Sequence, residues 1–360
     1  MRIAIVAGTR PEFIKLAPVR ALLGQDALTI HTGQHYSAGL TGRVGPDLVL
    51  DPVPGASAGE QLGSWISALD NTFREYRPDA ALVQGDTTSA LAGALAANTT
   101  RTPLAHIEAG LRSHDRSMPE EHNRILIDHL ADLCCAPSEQ ARDNLRSERI
   151  SAARIETTGN TIVEAVEGTL PGSDKQQAIL DQLGLVPDHY ILATIHRPEN
   201  ADDAGRLTTI FGELAKLPLP IVLPLHPRTQ QQIRPAGIAG LATNFRITGP
   251  LDYPALLAVI RNCAAVVSDS GGIQEEVTVL KRPIVVVRRS NERPEIESTF
   301  GTRVPAGSEI STVMESWLTD LDRLHARLTS IPSPYGDGSA AVQIVSAMKR
   351  KIGQPPELRC

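Results

Sequence analysis

Short apolar runs that end in a polar turn, often carrying glycine, and pass into a helix recur along almost the whole chain. Residues 2–6, 28–32, 80–84, 104–107, 133–136 and 155–158 read as strands of this kind in the first half. Residues 190–195, 221–225, 245–248, 264–268 and 284–287 repeat the pattern in the second. Strand, turn and helix in steady alternation specify an α/β fold, with parallel sheets covered by helices on both faces. Helices are expected at about 10–23, 60–76, 119–130 and 340–349, and Ser138 is expected to cap the one after 133–136. The Gly- and Pro-rich stretch 37–57 reads as loop. Residues 170–174, with Pro171 and Gly172, read as a linker after which the pattern restarts. A chain of 360 residues is comfortable for two domains, expected here at 1–170 and 171–339. Two such domains facing each other would leave a cleft for a small ligand.

Ligands of parallel sheets lie beyond the carboxyl ends of the strands, so the turns there carry the functional expectations. Asp269-Ser270-Gly271-Gly272 follows one strand and leads into a helix opening at about Ile273. Its glycines let backbone N–H groups come close to a ligand, and a helix N-terminus favours an anion. Ser270 is placed to cap the helix or to meet a phosphate oxygen. Glu276 lies too deep for a phosphate and suits a ribose diol; a plain N-cap with a capping-box glutamate is the alternative. At the first strand end, Ala7-Gly8-Thr9-Arg10 lacks G-x-G-x-x-G, so NAD is not expected. Arg10 and Lys15 are placed to meet phosphate or sugar, or are plain surface charge.

Asp86 and Glu108 directly follow strand ends, and Glu120 opens a helix. Three carboxylates converging on one rim repel one another, so at least one pKa should rise, which suits proton transfer. The alternative is that Asp86 and Glu120 cap helices and Glu108 pairs with Arg112. In the second half His196, Arg197 and His226 follow strand ends, and Arg293 lies in the loop after 284–287. His196 and Arg293 could neutralise phosphates.

The net charge of −6 argues against nucleic acid or a membrane surface as the main partner. No apolar run approaches the ~18 residues of a membrane span, and the opening MRIAIVAG reads as a strand rather than a signal peptide. Cys134, Cys135, Cys263 and Cys360 show no metal-ligand spacing and read as free thiols of a reducing cytoplasm.

Gly8-Thr9-Arg10-Pro11-Glu12, Gly85-Asp86-Thr87-Thr88, His106-Ile107-Glu108-Ala109-Gly110-Leu111-Arg112, Pro119-Glu120-Glu121, Gly159-Asn160-Thr161, the run from Asp269 to Glu276, Glu292-Arg293-Pro294-Glu295 and Pro334-Tyr335-Gly336-Asp337-Gly338 occur in this order. Together they resemble the non-hydrolysing UDP-N-acetylglucosamine 2-epimerases, over nearly the whole chain. That resemblance implies a glycosyltransferase-B-like fold of two Rossmann-like domains facing across a deep cleft, with the last helix, within 340–360, returning to the first domain. It implies a homodimer that interconverts UDP-GlcNAc and UDP-ManNAc without cofactor or metal. It assigns the uridine diphosphate to Arg10, His196, Ser270, Gly271, Gly272, Glu276 and Arg293. Acid–base and sugar contacts fall to Lys15, Asp86, Glu108, Glu120 and His196.

The chemistry matches these residue types. The C2 proton of the sugar is not next to a carbonyl, so expelling UDP first, to a glycal-like intermediate, is the accessible route. Cations and a helix N-terminus would hold the leaving diphosphate. One carboxylate takes the C2 proton and another group returns one on the opposite face. Asp86 and Glu120 are assigned that pair, with Glu108 tuning them. Bacterial members often hold a second, activating UDP-GlcNAc. Gln34, His35, Arg197 and His226 read as remnants of that site, but the loop turns Gly/Pro-rich and Pro198 stands where a second arginine is common. Activation by substrate is therefore expected to be weakened or lost, giving a hyperbolic rather than sigmoidal rate curve. A hydrolysing epimerase releasing ManNAc, a glycosyltransferase on the same fold, a non-catalytic sensor and a different UDP-sugar are the competing readings.

Overall fold

All eleven expected strands form, each within one residue of its expected ends. The structure is a computed structural model that describes residues 1–34, 45–51, 55–225, 229, 232, 244–297 and 299–352. The chain divides into two compact units, Met1–Ala165 with Tyr335–Cys360, and Val166–Pro334.

In chain order the first unit holds β1 (Ile3–Ala7), α1 (Arg10–Leu23), β2 (Ala27–His31), β3 (Leu48–Val49), α2 (Ala58–Tyr76), β4 (Ala80–Gln84) and α3 (Thr88–Thr100). It continues with β5 (Leu104–Ile107), α4 (Pro119–Leu130), β6 (Leu133–Ala136), α5 (Glu139–Ser147), β7 (Ile155–Thr157) and α6 (Ile162–Thr169), which crosses the division. Its sheet has the order β3-β2-β1-β4-β5-β6-β7, parallel throughout. The second unit holds α7 (Ser173–Leu183), β8 (Ile191–Thr194), α8 (Pro198–Ala201), α9 (Ala204–Ala215), β9 (Ile221–Pro224), β10 (Phe245–Thr248) and α10 (Tyr253–Asn262). Then come β11 (Ala265–Ser268), α11 (Gly271–Leu280), β12 (Ile284–Val287), β13 (Gly301–Val304), α12 (Glu309–Thr319) and α13 (Leu321–Ser330). That sheet has the order β10-β9-β8-β11-β12-β13. α14 (Ala340–Lys351) belongs to the first unit.

Strand residues alternate between two cores, as the period of two requires. Ile3, Ile5 and Ala7 of β1 pack with Leu16, Val19 and Leu23 of α1 and with Ile344 and Met348 of α14. Ala4 and Val6 face Trp65, Leu69 and Phe73 of α2 and the alanines of α3. With both faces covered, continuous apolar strands are the expected composition. The same alternation sends the adjacent Cys134 and Cys135 to opposite faces, both as buried free thiols. Two of the motifs serve this return of the chain. Asn160 N–H donates to the Tyr335 carbonyl at 2.8 Å, and Ala341 N–H donates to Glu164 at 2.7 Å.

Three local expectations are corrected. β3 lies within the stretch read as loop; it is two residues long and pairs at Ile30 and His31 on the sheet edge, too short for periodicity to reveal. The expected linker at 170–174 is shorter, because α6 reaches Thr169 and α7 begins at Ser173. α11 opens at Gly271, not Ile273, with Ser270 at the N-cap position but no capping bond from its side chain.

In each sheet the order reverses direction once, between β1 and β4 and between β8 and β11. These switch points are where the loops diverge and ligands of such folds bind.

Candidate active site

In unit 1 the switch point lies between the loops that follow β1 and β4. Gly85, with φ 69°, turns the chain after β4. Asp86 then receives Arg124 of α4 through Nε at 2.8 Å and Nη2 at 2.7 Å. Its carbonyl accepts from Asn123 at 2.9 Å. At the end of β5, Glu108 takes the left-handed φ of 68°, a conformation that costs a non-glycine residue of order 1 kcal/mol. Its two carboxylate oxygens accept from the Lys15 ammonium at 2.8 Å each, and Gln84 donates to Oε2. Lys15 and Glu108 are both buried, so Lys15 is no surface charge. Arg10 is half-buried in the first turn of α1. Glu120 is half-exposed in the first turn of α4, beside the buried Glu121.

Glu108 does not pair with Arg112. Arg112 binds Asp128 at 2.7 Å and Glu148 at 2.6 Å. Asp128 also meets His106 Nδ1 at 2.6 Å, and His106 Nε2 lies 2.8 Å from the Gly85 carbonyl. Burial works to raise the Asp128 carboxyl, but His106 and Arg112 outweigh it and hold it low. A buried ion network thus fixes the residue before Asp86. The expected mutual repulsion assumed three anions without cations. The structure gives Glu108 an ammonium and Asp86 a guanidinium, which removes the reason for it. Burial pushes the Glu12 carboxyl up to about 7; the sequence reading did not single this residue out.

In unit 2, the fully buried Asp269 organises the turn after β8. It accepts from the backbone N–H of His196 and of Arg197 at 3.0 Å each and from Asn200 at 3.1 Å. His196 Nδ1 lies 3.2 Å from the same carboxylate. Burial tends to raise the Asp269 carboxyl; His196, Asn200 and Arg197 outweigh it and hold it low. An imidazole whose Nδ1 faces a carboxylate presents Nε2 on its other side. Asp269 was missed as a site residue, although it follows a strand at the switch point just as Asp86 does. Asp269→Asn is expected to lower turnover, because it removes the carboxylate that faces His196 Nδ1 and orients its imidazole. Steady-state rates within twofold of the natural chain would contradict this.

Arg293 lies against the first residue of α11. A Cβ on Gly271 would stand 2.6 Å from its Nη1. Arg293 binds Glu275 at 2.6 Å and Glu292 at 2.5 Å, and Glu292 also receives Arg288 at 2.7 Å and Arg197 at 3.3 Å. Three guanidinium groups thus meet the carboxylates of Glu275 and Glu292 beside a helix N-terminus. Glu276 is buried on α11. Gly271→Ala is expected to displace Arg293 and to weaken at least tenfold the binding of the nucleotide diphosphate that the sequence leads one to expect there, measured with UDP by calorimetry, whereas Gly272, with no atom nearer than 4.0 Å to an added Cβ, tolerates alanine sterically. Equal affinity in both variants would contradict the close approach.

Of the residues assigned to a second nucleotide-sugar site, Gln34 accepts from Ser89 N–H at 3.1 Å and Oγ at 2.6 Å, and Arg197 pairs with Glu292. His35 and His226 lie outside the described residues. Among the described residues no group of three or more His, Cys, Asp or Glu could hold a metal ion, and no helix is long and apolar enough to cross a membrane.

Two Rossmann-like units with parallel sheets are the architecture of glycosyltransferase-B-like α/β enzymes. The UDP-N-acetylglucosamine 2-epimerase family model matches residues 23–349. A UDP-N-acetylglucosamine 2-epimerase of Methanococcus maripaludis is 35% identical over 96% of this chain and 97% of its own. The UDP-2,3-diacetamido-2,3-dideoxy-D-glucuronate 2-epimerase of Pseudomonas aeruginosa is 34% identical over 97% of this chain and 100% of its own. The crystal structure of the Methanocaldococcus jannaschii UDP-GlcNAc 2-epimerase, in complex with UDP-GlcNAc and UDP, superposes with TM-score 0.86 at 33% identity, covering 97% of this chain and 100% of that one. The chain belongs to the UDP-N-acetylglucosamine 2-epimerase family. It is an enzyme of the epimerase class.

Proposed function

We propose that the protein interconverts UDP-GlcNAc and UDP-ManNAc by eliminating UDP to a 2-acetamidoglucal and adding UDP back at C1 while C2 takes a proton on the opposite face. The observation that carries this reading is the likeness, over nearly the full length, to relatives named for that activity. In unit 2 the N–H groups of Gly271 and Gly272 and the Ser270 hydroxyl, with His196 and Arg293, take the diphosphate, and Glu276 takes the ribose. Binding charge as it develops on the leaving diphosphate lowers the barrier to its departure. Asp86, oriented by Arg124, and Glu120, half-exposed on α4, are the pair that remove and return the C2 proton. Glu108 lies against the Lys15 ammonium and sets the charge they work against. The non-hydrolysing outcome requires UDP to return before water attacks the intermediate.

The Pseudomonas relative supports a second reading, the same chemistry on a diacetamido uronic acid UDP-sugar. Anion-exchange chromatography after incubation with each UDP-sugar separates the two. UDP-ManNAc from UDP-GlcNAc supports the first. Conversion of the uronate alone supports the second, and free ManNAc with UDP would replace the non-hydrolysing mechanism by a hydrolysing one.

A further inference from the structure

Glu12 does more than cap α1. It is almost fully buried, and four donors face its carboxylate. Gly8 N–H at 3.0 Å, Thr9 N–H at 2.8 Å and Thr9 Oγ1 at 2.8 Å all donate to Oε2. Thr87 Oγ1 donates to Oε1 at 2.8 Å. A capping box needs only the contacts with Thr9. The bond to Thr87 is additional and reaches the turn after β4, to the residue next to Asp86.

The direction of that bond is settled by its neighbours. The Thr87 hydroxyl accepts from Ala90 N–H at 3.0 Å, so its single hydrogen is available for Glu12. The two backbone N–H groups can only donate. A carboxylate accepts from all four donors at once; a carboxylic acid keeps the contact with Thr87 only by reversing it, which leaves the Thr87 hydrogen without this acceptor. From this geometry we infer that ionised Glu12 is a positioning residue, a strut that fixes the turn carrying Asp86 against α1, the helix that carries Arg10 and Lys15. The inference rests on the proposed epimerase reading for its link to turnover.

Burial raises the Glu12 carboxyl to about 7 against the pull of these donors. As pH falls through that value Glu12 gains a proton and the Thr87 hydroxyl loses its acceptor. The unfolded chain titrates this group near 4.5. Between the two values the folded state binds the extra proton, so ionising Glu12 costs stability as pH rises. The strut therefore serves the turn at the expense of the fold. The charged and titratable groups on packed elements are Arg10, Lys15 and Arg20 on α1, Asp26 in the turn after it, His31 on β2 beside Phe13, Asp86 beside Thr87, Glu108 against Lys15, and Lys349, Arg350 and Lys351 on α14; β1, β4 and α3 carry none.

The test compares the natural chain with Glu12→Gln and Glu12→Asp. In Glu12→Gln, kcat is expected to fall at least tenfold at pH 8 with KM within threefold, the acid limb near 7 to vanish, and Tm at pH 8 to hold or rise. The amide NMR signals of Asp86, Thr87 and Ala90 are expected to titrate near 7 in the natural chain and not in Glu12→Gln. Glu12→Asp, which keeps the charge, is expected to keep the acid limb. Unchanged kcat, a joint fall of kcat and Tm with the acid limb intact, or amide signals indifferent to pH would overturn the strut. Absence of epimerisation by the natural chain would overturn the proposed function, while the amide titration would still decide the role of Glu12.

Discussion

Lys15→Met is expected to destabilise the protein by about 3–5 kcal/mol, the cost of leaving a buried carboxylate without its cation. Both partners are nearly inaccessible, with side chains 6% and 3% exposed, and the ammonium spans both oxygens of Glu108. An exposed pair would be worth about 0–1 kcal/mol, so urea unfolding at pH 8 distinguishes the cases clearly. Adding Glu108→Gln to Lys15→Met should restore most of the lost stability, because the charge itself is removed, yet leave turnover low. A loss below about 1 kcal/mol would mean that the pair is not buried as described.

Asp86→Asn and Glu120→Gln are each expected to lower turnover by about 10²–10⁴, the contribution of one group in proton transfer, with little change in unfolding. Asparagine keeps an oxygen for Arg124, so the turn should survive. The neighbouring Glu121 supplies the contrast. Its carboxylate accepts from Ser113 N–H and His114 N–H at 2.9 Å each and from Arg124. Burial tends to raise that carboxyl, but these donors and Arg124 hold it low. Glu121→Gln should therefore reduce stability by roughly 1–3 kcal/mol and affect rate only through the fold. Near-normal turnover in either Asp86→Asn or Glu120→Gln would remove that residue from the C2 chemistry.

The fold was legible because burial on both faces forces continuous apolar strands, and these survive in sequence as short runs between polar turns. β3 was not, since two edge residues leave no pattern. The opening of α11 was misplaced because glycines read as loop, whereas here Gly271 starts the helix so that Arg293 can lie against it. The strand-end rule found Asp86, Glu108 and His196, and applied evenly it would have found Asp269. The capping box Thr9-x-x-Glu12 was equally visible, but its bond to Thr87 was not. Pairings such as Lys15 with Glu108 and Arg112 with Asp128 join residues far apart in the chain. Only the packing of the sheet brings them together, so the sequence could suggest Arg112 for Glu108 and miss Lys15.

The most direct test of the account is proton NMR of the protein with UDP-GlcNAc in D2O, with nothing else added. The account predicts UDP-ManNAc carrying deuterium at C2, because the departing proton exchanges with solvent before another is returned. UDP-ManNAc that keeps its C2 hydrogen would contradict the proton-transfer mechanism assigned to Asp86 and Glu120.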